Sequence, residues 1–185
     1  MNKGYIFYVI GSSGVGKDSI LNKVKKKLTF ENKFIFPKRF ITRPNIDENE
    51  KHIALSKDDF NHRIDQNLFS LFWEAHEYFY GIGIEIEYWN HCGFHVIING
   101  SRAYHNIAKL KYKNLKSILI DADKSIIYKR LVVRDRESTE LINKRMQRNE
   151  QFGNMQFDFI IKNEFDLNDA VNSFLNYINQ LPTIK

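Results

Sequence analysis

Residues 11–17 carry glycines and a lysine at the spacing of a phosphate-binding loop. They read Gly-Ser-Ser-Gly-Val-Gly-Lys, after an apolar run at Tyr5–Ile10 and before an amphipathic pattern. Glycines let the backbone turn tightly so that successive N–H groups face phosphate oxygens, and the following helix adds its positive dipole end. A lysine at this position reaches the β- and γ-phosphates. We therefore predict a nucleoside triphosphate site formed by Gly11, Ser12, Ser13, Gly14, Val15, Gly16, Lys17, Asp18 and Ser19.

Asp18 departs from the usual pattern of this loop. A Ser or Thr normally follows the lysine and ligates Mg²⁺, whereas here Asp18 follows it and Ser19 comes next. A carboxylate is a good ligand for a hard cation. Three interpretations stay open: Asp18 holds the metal directly or through water, Ser19 replaces it, or Asp18 is only a favourable charge in the first turn of a helix.

Five arginines fall within residues 130–148. Arg130 and Arg134 are four residues apart and share a helix face, and Arg145 lies on a second predicted helix at 138–149. Beside a phosphate-binding loop, this pattern predicts a lid whose arginines neutralise charge on a transferred phosphoryl group and exclude water. Without that loop, a solvated helix pair would be the better interpretation.

Further cationic and aromatic residues lie where the predicted strands end. Arg39 lies near the end of the extended run predicted at 34–41 and Arg43 follows it, and a second group, Asn99, Ser101 and Arg102, follows the predicted strand at 94–98. Ligands of open α/β sheets bind at the carboxyl ends of strands. The segment at 73–81 adds aromatic and polar side chains that suit either a core or a substrate contact. Its candidates are Trp73, His76 and Tyr80.

Composition favours a cytoplasmic globular protein that handles small anions. The chain has 185 residues and a net charge of +6, with no basic tail or arginine-rich stripe, so nucleic acid is not favoured as a partner. No apolar run is long enough for a membrane span, and no signal peptide precedes the first strand. A single cysteine, Cys92, can form no intramolecular disulfide, as expected in a reducing compartment. The oligomeric state stays open, with a homodimer as one option.

Strand and helix patterns alternate along most of the chain, which predicts an α/β fold with a mainly parallel sheet covered on both faces. Residues 38–90 interrupt this alternation with short strands and polar loops. We expect one domain, with a core at 1–37 and 91–185, a small acceptor-binding lobe at about 38–90 and a lid at about 130–148. The predicted strands are 5–10, 34–41, 53–55, 69–74, 80–84, 94–98, 117–120 and 157–161. The predicted helices are 18–28, 57–67, 85–92, 102–110, 125–133, 138–149 and 171–178.

The whole chain resembles the guanylate-kinase group of P-loop kinases. The resemblance is carried by GSSGVGKDS (11–19), FITRP (40–44), ENEKHIALS (48–56), WEAHEYFYGIGIEIEYW (73–89), VIINGSR (96–102) and RLVVRDRE (130–137). It implies a P-loop NTPase fold of nucleoside-monophosphate-kinase type, ATP as the phosphoryl donor, and Mg²⁺.

The acceptor lobe departs from guanylate kinase. The resemblance puts His52 where that group has a tyrosine, Ser70 at a guanine-reading glutamate, and residues 99–101 at the segment carrying a guanine-reading aspartate. The base readers are therefore absent, while phosphate-handling positions remain. This pattern is similar to members that phosphorylate a ribose bisphosphate in phosphonate catabolism. The resemblance implies catalytic roles for Lys17, Arg130, Arg134 and Arg145. It implies substrate contacts from Arg39, Arg43, His52, Trp73, His76, Tyr80, Asn99, Ser101 and Arg102.

Two alternatives remain at this point. A nucleoside monophosphate kinase of the same fold would need another way to read the base. A non-catalytic binding module of this fold would have lost the loop lysine, which is present here as Lys17.

Overall fold

The computed structural model describes residues 3–28, 32–44, 52–75, 77–133, 142, 146–147 and 155–182. The strands are β1 (Ile6–Gly11), β2 (Phe34–Ile35), β3 (Arg39–Ile41), β4 (Ile53–Ala54), β5 (Phe69–Ala75), β6 (Tyr78–Gly83), β7 (His95–Asn99), β8 (Leu115–Asp121) and β9 (Phe159–Lys162). The helices are α1 (Lys17–Lys27), α2 (Lys57–Asp65), α3 (Glu85–His91), α4 (His105–Lys111), α5 (Lys124–Val133) and α6 (Leu167–Gln180). Within these ranges no helix is both long and apolar enough to cross a membrane.

The main sheet has five parallel strands in the order β2-β7-β1-β8-β9. Strand β1 is central and buried on both faces. Phe7 and Val9 pack into the core formed with α1, α5 and α6. Ile6 and Tyr8 pack into a second core that includes residues of α3, α4 and the smaller sheet. The predicted α/β fold with a parallel sheet covered on both faces is confirmed.

The smaller sheet has four strands in the order β4-β3-β6-β5. Phe40, Phe60 and Phe69 form a third cluster, which joins α2 to this sheet. Helix α2 begins as the sequence predicts, because the Ser56 side chain accepts a hydrogen bond from the Asp59 backbone N–H (3.0 Å). The sheet thus forms from residues of the predicted acceptor-binding lobe.

Several elements differ by a few residues from their predicted bounds, and two of these differences bear on the site. The extended run predicted at 34–41 is divided between β2 of the main sheet and β3 of the smaller sheet. Pro37 lies between the two strands, and proline lacks the N–H that a ladder needs. The helix predicted from residue 102 begins at His105, since residues 102–104 form a turn that carries Arg102 past the end of β7.

Two histidines are packed in the neutral form. His95 Nδ1 accepts a hydrogen bond from the Tyr5 backbone N–H (2.9 Å), and its ring stacks on Phe34. His105 is 2% exposed, between the rings of Tyr8 and Phe157, and neither ring nitrogen has a hydrogen-bond partner among the described residues. Burial lowers the pKa of both, with smaller contributions from nearby lysines.

We expect the protein to lose stability in mild acid because of these histidines. Below the ordinary histidine pKa of 6.5, the unfolded chain gains protons that the folded chain excludes. The free energy of unfolding should therefore fall as the pH drops below about 7, by up to about 1.4 kcal/mol per pH unit for each histidine, until the folded chain takes up the same protons. The near-isosteric variant His105→Phe should show a shallower fall in urea titrations at several pH values. Equal slopes for the variant and the parent would contradict the assignment.

Candidate active site

The segment 11–19 forms a loop between the carboxyl end of β1 and the start of α1. Gly14 and Gly16 have φ of 85° and 94°, in the left-handed region that glycine adopts without strain. Gly16 is the N-cap of α1, and its carbonyl accepts the first helical hydrogen bond, from Ile20 N–H (3.1 Å). The Lys17 ammonium folds back over the loop and donates to the Gly11 carbonyl (3.3 Å). The predicted strand, loop and helix are present, in the arrangement expected of a phosphate-binding loop.

The carbonyl of Val15 fixes the middle of this loop. It accepts hydrogen bonds from Asn163 Nδ2 (2.7 Å) and Arg130 Nη1 (3.2 Å). Asn163 is buried and follows β9, so a second strand end supports the loop. A Cβ at Gly16 would lie 2.5 Å from the Asn163 amide nitrogen, which leaves no room for a side chain at that position. Sequence reasoning missed Asn163, although its place directly after the last strand was a usable signal.

Asn99 and Arg102, at and after the end of β7, reach the same loop. Asn99 Nδ2 donates to Asp18 Oδ1 (2.7 Å), and Arg102 Nη1 donates to the Ser12 hydroxyl (3.3 Å). Partial burial lowers the pKa of the Arg102 guanidinium, which nevertheless stays charged at neutral pH. The predicted convergence of these residues on the loop is therefore found.

Tyr8 holds the turn that carries Asn99 and Arg102. Its buried hydroxyl accepts from the Ser101 backbone N–H (2.9 Å) and donates to the Ser101 carbonyl (3.2 Å). Burial raises the pKa of Tyr8 well above its ordinary value, so the hydroxyl stays protonated. A Cβ at Gly100 would come within 2.2 Å of the Tyr8 ring. The turn is thus held by its backbone, and glycine at 100 allows the close approach.

A stack of aromatic rings lies beside this turn. Trp73 of β5 and Tyr80 of β6 are parallel, with ring centroids 5.7 Å apart, and Tyr104 lies 5.9 Å from Trp73. The Arg39 guanidinium sits 5.8 Å from the Tyr80 ring, a cation–π distance. Trp73 and Tyr80 are only 7% and 8% exposed and belong to the core between the two sheets, so their first role is in packing.

His52 and Arg43 meet at the edge of the smaller sheet. His52 is buried, and its Nε2 lies 2.8 Å from the Arg43 carbonyl, a distance at which the ring N–H donates. The Arg43 guanidinium lies 6.0 Å from the Tyr78 ring. His52 therefore fixes the backbone that carries Arg43.

Some predicted residues behave differently from the expectation or lie outside the described part of the chain. The Val15 side chain is fully buried in the core, so this residue contributes its backbone to the loop. The Ser70 hydroxyl contacts Tyr112 and donates to Glu87 Oε1 (3.0 Å), so it is engaged in packing between β5 and the helices. His76, Arg134 and Arg145, and with them most of the predicted lid, lie outside the described residues.

The donor set at the loop suits a hydrated magnesium ion bound together with phosphates. Asp18 is exposed, and the buried Oδ1 of Asn99 has no hydrogen-bond partner among the described residues. Mg²⁺ in kinases keeps several waters and takes only one or two protein carboxylates. The absence of any cluster of three or more His, Cys, Asp or Glu in the described ranges is compatible with such a site.

Fold and site together define a P-loop phosphotransferase. The guanylate kinase family model matches residues 3–181. A guanylate kinase from Anaplasma phagocytophilum superposes with a TM-score of 0.70 and 15% identity, covering 97% of this chain and 86% of that one, which supports the fold. Ribose 1,5-bisphosphate phosphokinase from Psychromonas ingrahamii is 43% identical, covering 91% of this chain and 87% of the relative. The namesake from Thiobacillus denitrificans is 40% identical, covering 82% and 80%. The chain therefore belongs to the guanylate kinase family, within the group of ribose 1,5-bisphosphate phosphokinases.

Proposed function

We propose that the protein transfers the γ-phosphoryl group of ATP to the 1-phosphate of α-D-ribose 1,5-bisphosphate. The products are ADP and 5-phospho-α-D-ribose 1-diphosphate, and the pathway is phosphonate degradation. The observation that carries the proposal is the 43% identity, over nearly the whole chain, to a relative named for this activity. The phosphate-binding loop with Lys17, and the arginines beside it, supply the groups that such a transfer needs.

The nucleophile is an oxygen of the acceptor 1-phosphate, which is already ionised at neutral pH. No general base has to remove a proton, so the residues act by positioning and by neutralising charge. The charged side chains at the loop suit charge neutralisation, because they are mainly cations. Asp18 is the carboxylate among them. Because the reaction needs no general base, His52 can serve instead to position the backbone at Arg43, through its hydrogen bond to the Arg43 carbonyl.

On the donor side, the backbone of residues 11–19 and the Lys17 ammonium hold the ATP phosphates. Mg²⁺ bound together with the nucleotide would supply charge neutralisation, and Asp18 or Ser19 would be the residue that holds it. Arg130 lies against the Val15 carbonyl of the loop, which supports a role for it at the donor phosphates. Arg134 and Arg145 follow it in sequence and are proposed to complete the clamp on the transferred group.

On the acceptor side, the two phosphates are bound by arginines from both sheets. Arg102 reaches the loop from the turn after β7, and Arg39 of the smaller sheet lies beside Tyr80 of the Trp73–Tyr80 stack. Asn99 and Ser101, which come just before Arg102, are further proposed contacts of the acceptor. Arg43, held by His52, and His76 are further proposed contacts of the acceptor. The acceptor has a phosphate at each end of the sugar, so the arginines of the two sheets would each have a phosphate to bind.

A steady-state assay with Mg-ATP tests the proposal. Ribose 1,5-bisphosphate, ribose 5-phosphate, GMP and AMP are compared as acceptors, with ADP release and diphosphate product both measured. We expect turnover with ribose 1,5-bisphosphate and at most a small fraction of it with the others. The match to the guanylate kinase family model favours a nucleoside monophosphate kinase as the second candidate. Turnover of GMP in place of ribose 1,5-bisphosphate would establish that candidate, and no turnover of any acceptor would overturn both.

A further inference from the structure

Asp18 and Asn99 form a direct pair at the start of α1. Asp18 is the second residue of the helix, and Asn99 is the last residue of β7, the strand that pairs with β1. The Asn99 amide donates to Asp18 Oδ1 at 2.7 Å. A hydrogen bond to a carboxylate at this distance is of the strong, charge-assisted kind and fixes the orientation of both side chains.

The orientation of the Asn99 amide follows from this contact. The NH₂ group must face the carboxylate, because the amide oxygen in that place would repel it. The Asn99 oxygen therefore points the other way, where it is buried and has no partner among the described residues. A buried acceptor without a donor is costly, so this oxygen is expected to be satisfied by a group that arrives with a ligand.

The usual P-loop metal site combines a Ser or Thr hydroxyl on the helix with an aspartate carboxylate on a neighbouring strand. Here the carboxylate is on the helix, as Asp18, and the neutral side chain is on the strand, as Asn99. We infer that the two positions have exchanged chemistry: Asp18 is the charged ligand of the nucleotide-bound Mg²⁺, and Asn99 is a positioning residue that orients Asp18 and accepts from a metal-bound water.

The exchange preserves what the cation needs. As in the usual site, one negative charge and one neutral oxygen are present, but here the charge is on the helix and the neutral oxygen is on the strand. Asp18 Oδ1 is occupied by the amide, which leaves Oδ2 of an exposed carboxylate to face the phosphates. The inference rests on the proposed binding of Mg-nucleotide at the loop. It does not depend on the identity of the acceptor.

Nucleotide binding without acceptor tests the inference. The dissociation constant of ADP is measured by calorimetry in excess Mg²⁺ and in EDTA, and the ratio of the two constants gives the magnesium effect. Asp18→Asn should reduce this ratio about tenfold or more, and Asn99→Ala should reduce it by a smaller factor. The double variant Asp18→Ser with Asn99→Asp rebuilds the usual arrangement and should recover most of the effect. Asp58→Asn, an exposed charge removed from α2, is the matched control and should leave the ratio unchanged.

The outcomes separate this inference from its rivals. If Ser19→Ala abolishes the magnesium effect while Asp18→Asn keeps it, Ser19 is the ligand and the inference fails. It also fails if the double variant is no better than Asp18→Ser alone, because Asn99 then does not share the site. A change in acceptor KM on Asn99→Ala, with the magnesium effect intact, would assign the free oxygen to the acceptor. If wild-type ADP binding does not respond to magnesium at all, the inference is overturned whichever acceptor the enzyme uses.

Discussion

Replacing Lys17 with alanine should lower kcat about 10²–10³-fold, equivalent to roughly 3–4 kcal/mol of lost transition-state stabilisation. Lys17 is the cation of the phosphate-binding loop, and its ammonium lies over the Gly11 carbonyl, where the donor phosphates are proposed to bind. Its charge becomes more important as negative charge shifts towards the β–γ bridging oxygen. Steady-state ADP release with ribose 1,5-bisphosphate measures the effect.

Folding should be little affected by the same substitution. The Lys17 side chain is partly exposed, and its hydrogen bond to the Gly11 carbonyl is long at 3.3 Å. We therefore expect the melting temperature to change by no more than a few degrees. Lys26→Ala, an exposed lysine on the same helix, is the matched control and should keep parental turnover. A Lys17→Ala enzyme that retained most of its activity would disprove the loop mechanism.

The nucleotide half of the site was largely predictable from sequence because its geometry is local. Nine consecutive residues, from Gly11 to Ser19, carry the loop, and the flanking apolar and amphipathic patterns fix the strand and the helix around it. The contacts that complete it are not local. Asn163 is 148 positions from Val15, and a lone asparagine after a strand has many other possible uses.

The sequence offered candidate residues for the acceptor half but not their arrangement. The spacing of Arg39 in the sequence does not reveal that its guanidinium lies beside Tyr80, whose ring is stacked on Trp73. Nor does it reveal that His52 is committed to the Arg43 carbonyl. The contacts of Arg39, Tyr80 and Trp73 depend on the pairing of β3 with β6 and of β6 with β5, and the contact of His52 with Arg43 depends on the pairing of β3 with β4. Strand pairing between distant segments is set by packing across the whole sheet, which a short window of sequence does not encode.

The split of the extended run 34–41 has the same origin. Phe34 and Ile35 pair with β7 in the main sheet, whereas Phe40 and Ile41 pair with β6 and β4 in the smaller sheet. A period-two pattern predicts strand conformation but not the partner strand. The change of sheet within eight residues places Arg39 at the start of β3, where its charge partly offsets the effect of burial on the pKa of the Tyr8 hydroxyl.

Arg102→Ala should lower kcat/KM for the acceptor about 10²-fold, with most of the change in KM. Arg102 is a partly desolvated cation that donates to the neutral Ser12 hydroxyl of the loop at 3.3 Å. An acceptor phosphate gives such a guanidinium two charge-assisted hydrogen bonds, each worth about 1.5–3 kcal/mol. The dissociation constant of ATP, measured without acceptor, should change less than about threefold, since the bond to Ser12 is long and neutral.

Two further variants decide whether Arg102 acts as a phosphate fork. Arg102→Lys keeps the charge but loses the planar pair of donors, so it should recover only part of the acceptor affinity. Arg63→Ala removes an arginine whose guanidinium lies over Phe40 at 4.7 Å, on the α2 side of the smaller sheet, and should leave acceptor KM at the parental value. An Arg102→Ala enzyme with weaker ATP binding and an unchanged acceptor KM would place this residue at the donor phosphates. Arg102 lies in the turn after β7 and also contacts the phosphate-binding loop. Its two possible roles are therefore distinguished only by measuring ATP binding and acceptor binding separately.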